Sequence, residues 1–274
     1  MSSKETLEES ITNLNDKISN IFEKTESTHY VIFISNSPYF RHSIDPLYKS
    51  SRSKYGTPLK WLKTLKAYLR EKWYAQSMDL VEADDLVNYW YNWQSFGYGK
   101  STVNSDKEEI TIRCNSTIVY KDVEKIICSP DKDLLQSIKG FHFNYSYRLE
   151  NKEDPSSLIK GWWVETSINS AMNFKFQQLV CGDISDGITG IKGKGIKFFE
   201  SNPDWDLCNI LEWYLKVYGQ SQGIFEYQKN YRLLHLLSSD EDFMREIGKL
   251  PEFPLINEVP SVKTEEVNLT DINF

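Results

Sequence analysis

An α/β fold with a central, mainly parallel sheet flanked by helices is what the sequence predicts, on three observations. Short apolar runs rich in β-branched residues alternate with segments of helical periodicity. Two of those runs are apolar without alternation, the pattern of strands covered on both faces. A chain of 274 residues with 40% hydrophobic and 14% aromatic content is long enough to bury a core.

Each element follows in order. Residues 5 to 24 place Leu7, Ile11, Leu14, Ile18 and Ile21 at spacings of three and four, an amphipathic helix. It runs into HYVIFIS (29–35), which reads as a buried parallel strand. The polar, turn-rich stretch 36–58 precedes a helix from about 59 to 73. In that helix Leu62, Leu65 and Leu69 form one stripe, and Lys60, Lys63, Lys66 and Arg70 another. A further helix spans about 83 to 93. Residues 97–122 read as an insertion containing a hairpin, ITIRC-NS-TIVYK. VEKIICSPDKD (123–133) is a second buried strand running into acids, and FHFNYSYR (141–148) a third. A charged loop with Pro155 separates it from GWWVE and from a helix leading into QQLVCGDISDGITGIKGKGIKFFE (177–200). Residues 205–248 are helical in pattern, and from Pro251 onward an unstructured tail is expected.

The net charge of -7 conceals an asymmetry. Between Arg41 and Lys72 nine Lys or Arg face only Asp45 and Glu71, so this segment is +7 and the remainder -14. Such separation suits a polyanion held over an acidic, metal-binding pocket; a solvated helix face is the alternative. Cys114, Cys128, Cys181 and Cys208 have no zinc-ribbon spacing and read as reduced core residues. No apolar run approaches membrane-spanning length, and no secretory leader is apparent, so a soluble, cytoplasmic chain without a membrane partner is expected. The sequons at Asn115, Asn144 and Asn268 are then chance matches.

The acids fall into three groups: Glu82, Asp84 and Asp85 at the start of a helix, Asp131 and Asp133 after a strand, and Asp183 and Asp186 in GDISD. Loops at the carboxyl ends of neighbouring parallel strands converge, so acids distant in sequence can share one pocket. Seven carboxylates brought together raise one another's pKa, and a hard divalent cation with a preference for oxygen ligands removes that conflict. Taken singly, each group equally fits a helix N-terminus or a turn. In GITGIKGKGIK, Gly190, Gly193 and Gly195 strip side chains from a turn that opens a helix, while Lys192, Lys194 and Lys197 add charge. That makes an anion site, or else a turn that needs glycine only for its backbone angles.

VEADDL, CSPDKDLLQ and LVCGDISDGITGIKGKGIK resemble, in order and spacing, the blocks of the flap endonuclease and 5'-3' exonuclease family, most closely its T-even phage ribonuclease H branch. SPYFRHSIDPLYKSSRSK is similar to the block that begins the family's helical arch, and FEYQKNYRLLHLL to a closing helix. The resemblance implies a PIN-like 5'-nuclease core over 1–180 with an arch at about 37–75. It also implies a helix-three-turn-helix subdomain over 181–250 and a flexible tail over 251–274. It implies Glu82, Asp84, Asp85, Asp131, Asp133, Asp183 and Asp186 as ligands of two Mg²⁺, replaceable by Mn²⁺. Lys49 and Arg52 become catalytic cations at the scissile phosphate. Arg41, Lys60, Lys63, Gly190, Lys192, Gly193, Lys194, Gly195 and Lys197 become DNA contacts, with K⁺ at the helix-three-turn-helix.

The implied chemistry is phosphodiester hydrolysis of branched, flap or nicked DNA and of RNA/DNA hybrid by two ions about 4 Å apart. The implied role is removal of primers or flaps in phage DNA replication and repair, in the cytoplasm of an infected bacterial cell. The tail would dock a sliding clamp or a single-strand binding protein. The sequence departs from the family in two places. Family members begin with a strand ending in Asp, whereas this chain begins at the following helix; a second Asp is replaced around Ile34, Ser35 and Asn36. Three readings follow: an active 5'-nuclease, a catalytically impaired member that binds branched DNA as an adaptor, and a structural subunit working through its tail.

Overall fold

A computed structural model describes residues 6–50, 60–92, 111–114, 117–120, 125–137, 140–150, 158–252 and 254–260. Helix α1 (Leu7–Thr25) starts with a capping box: Thr6 Oγ accepts the Glu9 N–H and the Glu9 carboxylate accepts the Thr6 N–H. Its apolar stripe packs against α3 (Leu62–Trp73), where Ile11, Leu65 and Tyr68 are buried together with Leu14, Trp61 and Trp73 around them. Between these helices lie β1 (His29–Tyr30) and the single helical turn α2 (Arg41–Ile44).

The segment HYVIFIS does pair in parallel, but through one bridge instead of a continuous ladder. Ile34 donates to the Gln76 carbonyl at 2.9 Å and Gln76 to the Ile32 carbonyl at 2.8 Å; Phe40 donates in the same sense to Leu80 at 2.8 Å. Further pairings join β2 (Thr111–Cys114) to β3 (Thr117–Tyr120), and β4 (Ile126–Cys128) to β5 (Phe141–Glu150) and β6 (Leu158–Glu165). The hairpin β2-β3 is antiparallel, as expected from its sequence. Of the three-stranded sheet only β4-β5 is parallel, while β6 returns antiparallel. The expected parallel sheet is thus present in two separate pieces among the described residues. Periodicity identifies apolar extended segments but does not supply their neighbours.

Helix α4 (Ala83–Asn92) is followed, beyond the sheet, by α5 (Ile168–Cys181), α6 (Ile196–Glu200), α7 (Leu207–Tyr218), α8 (Gln220–Leu234) and α9 (Asp240–Glu246). The largest core joins α5, α6, α7 and α8: Leu179, Val180, Ile191, Ile210, Tyr214 and Leu233 pack around Tyr48 from the segment after α2. The buried Tyr214 hydroxyl donates to the Leu179 carbonyl and accepts from Asn230. This core fixes the ends of α5 and α8, which carry the residues behind the acidic pocket.

Two expectations are corrected. The described part of the C-terminal segment is not a free tail: β7 (Asn257–Glu258) pairs antiparallel with β1, and Val259 donates to the Thr28 carbonyl at 2.9 Å. Gln76 and Leu255 also exchange two hydrogen bonds. Backbone pairing needs no apolar side chains, which is why the polar sequence concealed it. Cys208 is exposed, and Cys128 and Cys181 are half-buried, so the cysteines are not uniformly core residues. Among the described residues no helix is long and apolar enough to cross a membrane.

Candidate metal centre

Glu82 and Asp84 enter at the start of α4. The preceding Val81 is fully buried, and the Ala83 N–H is capped by Ser35 Oγ at 2.8 Å, so the first turn of α4 is fixed against the 30s segment. Tyr48 places its hydroxyl 2.9 Å from Glu82 and 3.2 Å from Asp186, a donor shared between two carboxylates. Lys49 lies beside it with a left-handed backbone (φ 58°), a conformation rare for a side-chain-bearing residue. Its N–H donates to the Asp186 carbonyl at 3.0 Å, while its ammonium pairs with Glu82 and reaches Asp186 at 3.6 Å. Arg41, Tyr48, Lys49, Glu82, Asp84, Asp133 and Asp186 line one pocket, with Leu233, Leu234 and Leu236 as its apolar wall.

The other two acidic groups sit in tight turns. Asp131 accepts the Asp133 N–H at 2.9 Å and Asp183 accepts the Ser185 N–H at 2.9 Å, so each caps its own short turn. Asp183 and Ile188 exchange backbone hydrogen bonds at 2.8 Å, which closes the GDISDG loop. That loop depends on glycine: a Cβ on Gly190 would come within 2.3 Å of the Gly182 nitrogen, and one on Gly182 within 2.3 Å of the Ile188 oxygen. Lys132 spans the two turns, its ammonium 3.0 Å from Asp133 and 2.5 Å from Asp183, while Gln178 donates to Asp133 at 2.6 Å.

The site electrostatics are unbalanced. Burial, then Asp131, Glu82 and Asp85, push the Asp84 carboxyl up to about 7, only partly offset by Lys49. Asp133 is raised by burial and by Asp131 against the pull of Lys132. At Asp183 burial is outweighed by the hydrogen bonds from Lys132 and Ser185, and the carboxyl is held below its ordinary value. No described side chain donates a hydrogen bond to Asp84. An all-oxygen donor set with excess negative charge fits a hard divalent cation such as Mg²⁺ in ligand type and in charge. Among the described residues no three such side chains yet surround a common point. The pairs Glu82/Asp186 and Asp133/Asp183 are each spanned by a lysine ammonium.

Two expected roles are corrected by burial. Arg41, expected at DNA, is 1% exposed. It grips Asp85 at 2.6 and 2.8 Å, reaches Glu82 at 3.1 Å, and donates to the carbonyls of Leu233 and His235. Asp85, expected as a metal ligand, has both oxygens committed to Arg41 and one also to the Leu237 N–H. Burial opposes the charge on Arg41, but Asp85 outweighs it and holds the guanidinium above its usual range. The pair is an internal counter-ion set that ties α4 to the end of α8.

Beyond the pocket, Lys192, Gly193, Gly195 and Lys197 are exposed on the turn entering α6, and nothing lies within 4 Å of a Cβ built on Gly193 or Gly195. Gly190 is buried and serves the backbone crossing with Gly182, so it offers no surface to a phosphate. Lys194 is spread over the rings of Phe198 and Trp213, 4.2 and 4.8 Å from their centroids. Lys60, over the Trp61 ring, and Lys63 are exposed near the start of α3. Arg52 lies outside the described residues. Sequence reasoning missed Tyr48 and Lys132, although both are adjacent to residues it chose: Tyr48 precedes Lys49, and Lys132 stands between Asp131 and Asp133.

No protein-family model matches the sequence, and no curated protein matches it. Solved structures do. The T5 5'-exonuclease with bound divalent metal ions (zinc) superposes with a TM-score of 0.50 at 16% identity, covering 82% of this chain and 81% of that one. The T5 D15 protein co-crystallised with metal ions gives 0.52 at 16% identity over the same shares. With its helices and its small sheet, the chain therefore has the PIN-like α/β fold of the T5 5'-exonuclease.

Proposed function

We propose that this chain is a metal-dependent, structure-specific 5'-3' exonuclease and flap endonuclease acting on branched, flap or nicked DNA and on RNA/DNA hybrid. The observation that carries the reading is the acidic pocket. Carboxylates from the α4 start, the SPDKD turn and the GDISD turn adjoin one another in excess over their cations, and Asp84 is driven up to about 7 by burial first and then by that crowding. Glu82, Asp84, Asp131, Asp133, Asp183 and Asp186 would hold the divalent ions, which would supply activation of a water near neutral pH and stabilisation of charge on the phosphodiester.

The chain's own groups do the rest. Tyr48 orients Glu82 and Asp186, which keeps two carboxylates from turning away from the pocket. Lys49, at the pocket wall, and Arg52 neutralise charge that grows on the scissile phosphate. Lys192, Lys197 and the open backbone at Gly193 and Gly195 bind the duplex through its phosphates, so selection rests on shape and not on base identity. Removal of primers or flaps in phage replication, and a clamp or single-strand binding protein at residues 261–274, belong to the same reading.

A second reading, an impaired member that binds branched DNA as an adaptor, has its own observation. The 34–36 segment beside the pocket brings no carboxylate: Ile34 is buried, Ser35 caps α4, and Asn36 bonds Ser77 and Arg70. Incubation of the full chain with 5'-labelled flap DNA and RNA/DNA hybrid in Mg²⁺, Mn²⁺ or EDTA separates the two. The nuclease reading expects short 5' products in Mg²⁺ or Mn²⁺, abolished in EDTA and in Asp131→Ala. Tight flap binding without product in either metal would establish the adaptor.

A further inference from the structure

We propose that Lys132 is a resident counter-ion of the acidic pocket: its ammonium holds the seat between Asp133 and Asp183, and it must swing out before a divalent ion can be bound there. This rests on the metal-dependent reading above. Asp133 and Asp183 come from two different turns, yet Lys132 touches both, at 3.0 and 2.5 Å. A cation between two carboxylates occupies the point of most negative potential, the same point a divalent ion needs.

What distinguishes Lys132 from the other internal cations is its freedom to leave. The Arg41 side chain is 2% exposed and tied to two backbone carbonyls, so it is permanent structure. The Lys132 side chain is 54% exposed, and its stem can rotate outward without opening the core. The carboxylates stay in place when it goes. Gln178, itself held by Gln136, keeps its hydrogen bond to Asp133, and both the N–H and the hydroxyl of Ser185 hold Asp183. Vacating the seat leaves two anchored negative groups whose repulsion is relieved by another cation or by uptake of a proton.

The experiment is a calorimetric titration of Mn²⁺ into metal-free full-length protein, for the wild type, Lys132→Met and Lys132→Arg, with circular dichroism to check that each is folded. Lys132→Met is expected to bind Mn²⁺ roughly five- to tenfold more tightly, the scale of a partly exposed charge pair. Lys132→Arg, which restores the charge, is expected to return to wild-type affinity. Unchanged or weaker binding in folded Lys132→Met overturns the inference, because Lys132 would then either not compete or be aligning the ligands. The readout is independent of cleavage. Tighter binding in a protein that cuts no substrate removes the nuclease reading alone, and cutting by a protein whose Lys132→Met variant binds Mn²⁺ unchanged removes this one alone.

Discussion

At the scale of single residues, Asp84 has the clearest measurable consequence. Burial and three neighbouring carboxylates raise it from 3.8 to about 7, so between those values the folded state holds a proton that the unfolded chain has lost. Stability in EDTA therefore falls as pH rises from about 4 through 7. Asp84→Asn is expected to stabilise the metal-free protein at pH 7.5 by on the order of 1–3 kcal/mol in urea melts and to flatten that pH dependence. An Asn variant no more stable than wild type would show that the carboxylates are already neutralised. The spacing of the acids was legible in the sequence because each group is local. Their partners were not. Arg41 counts as one more basic residue in a +7 segment, and only the fold shows that it faces inward to Asp85. Tyr48 and Lys132 were passed over for the same reason, since their bonds reach 34 to 138 residues along the chain.

At the scale of elements, the GDISDGITGIKGKG stretch shows how three glycines with one expected role divide between two. Gly190 and Gly182 lie back to back, which lets the turn carrying Asp183 and Asp186 close, whereas Gly193 and Gly195 face open space. Gly190→Ala is expected to cost at least about 2–3 kcal/mol, because the methyl meets backbone that cannot give. Gly195→Ala should stay within about 0.5 kcal/mol, since it has room and no positive φ. Thermal denaturation of the two variants checks the contrast, and equal losses would refute it. Helices were legible nearly to their ends, because their periodicity is written in consecutive residues: the stripe read over 5–24 is α1, and those read near 59–73 and 83–93 are α3 and α4. Strand partners were not, since pairing depends on segments far apart in the chain, and among the described residues HYVIFIS pairs with Gln76 and the β7 segment.

At the scale of the whole molecule, the charge asymmetry is partly internal. Of the nine cations between residues 41 and 72, Arg41 and Lys49 serve the carboxylates, while Lys66 and Arg70 bond the 35–36 segment. Among the described residues, the surface left for a polyanion includes Lys60, Lys63 and Lys72, together with Lys192 and Lys197. Flap binding measured by fluorescence anisotropy in EDTA should weaken steeply with salt. Lys192→Ala combined with Lys197→Ala should reduce the slope of log K against log salt by about 0.9 for each phosphate that is no longer neutralised. A slope unchanged in the double variant would place the DNA elsewhere. The pairing of β7 with β1 also decides how this molecule carries mechanical load. Whatever is attached after residue 260, be it a label, a surface or a partner, pulls first on the bond between Val259 and Thr28 and on the Leu255–Gln76 clasp. Tension therefore enters beside the strand that leads to Ser35 and the cap of α4, and not at the helices that precede β7 in the chain. A tether at that end would pull on the segment whose Ser35 caps the first turn of α4.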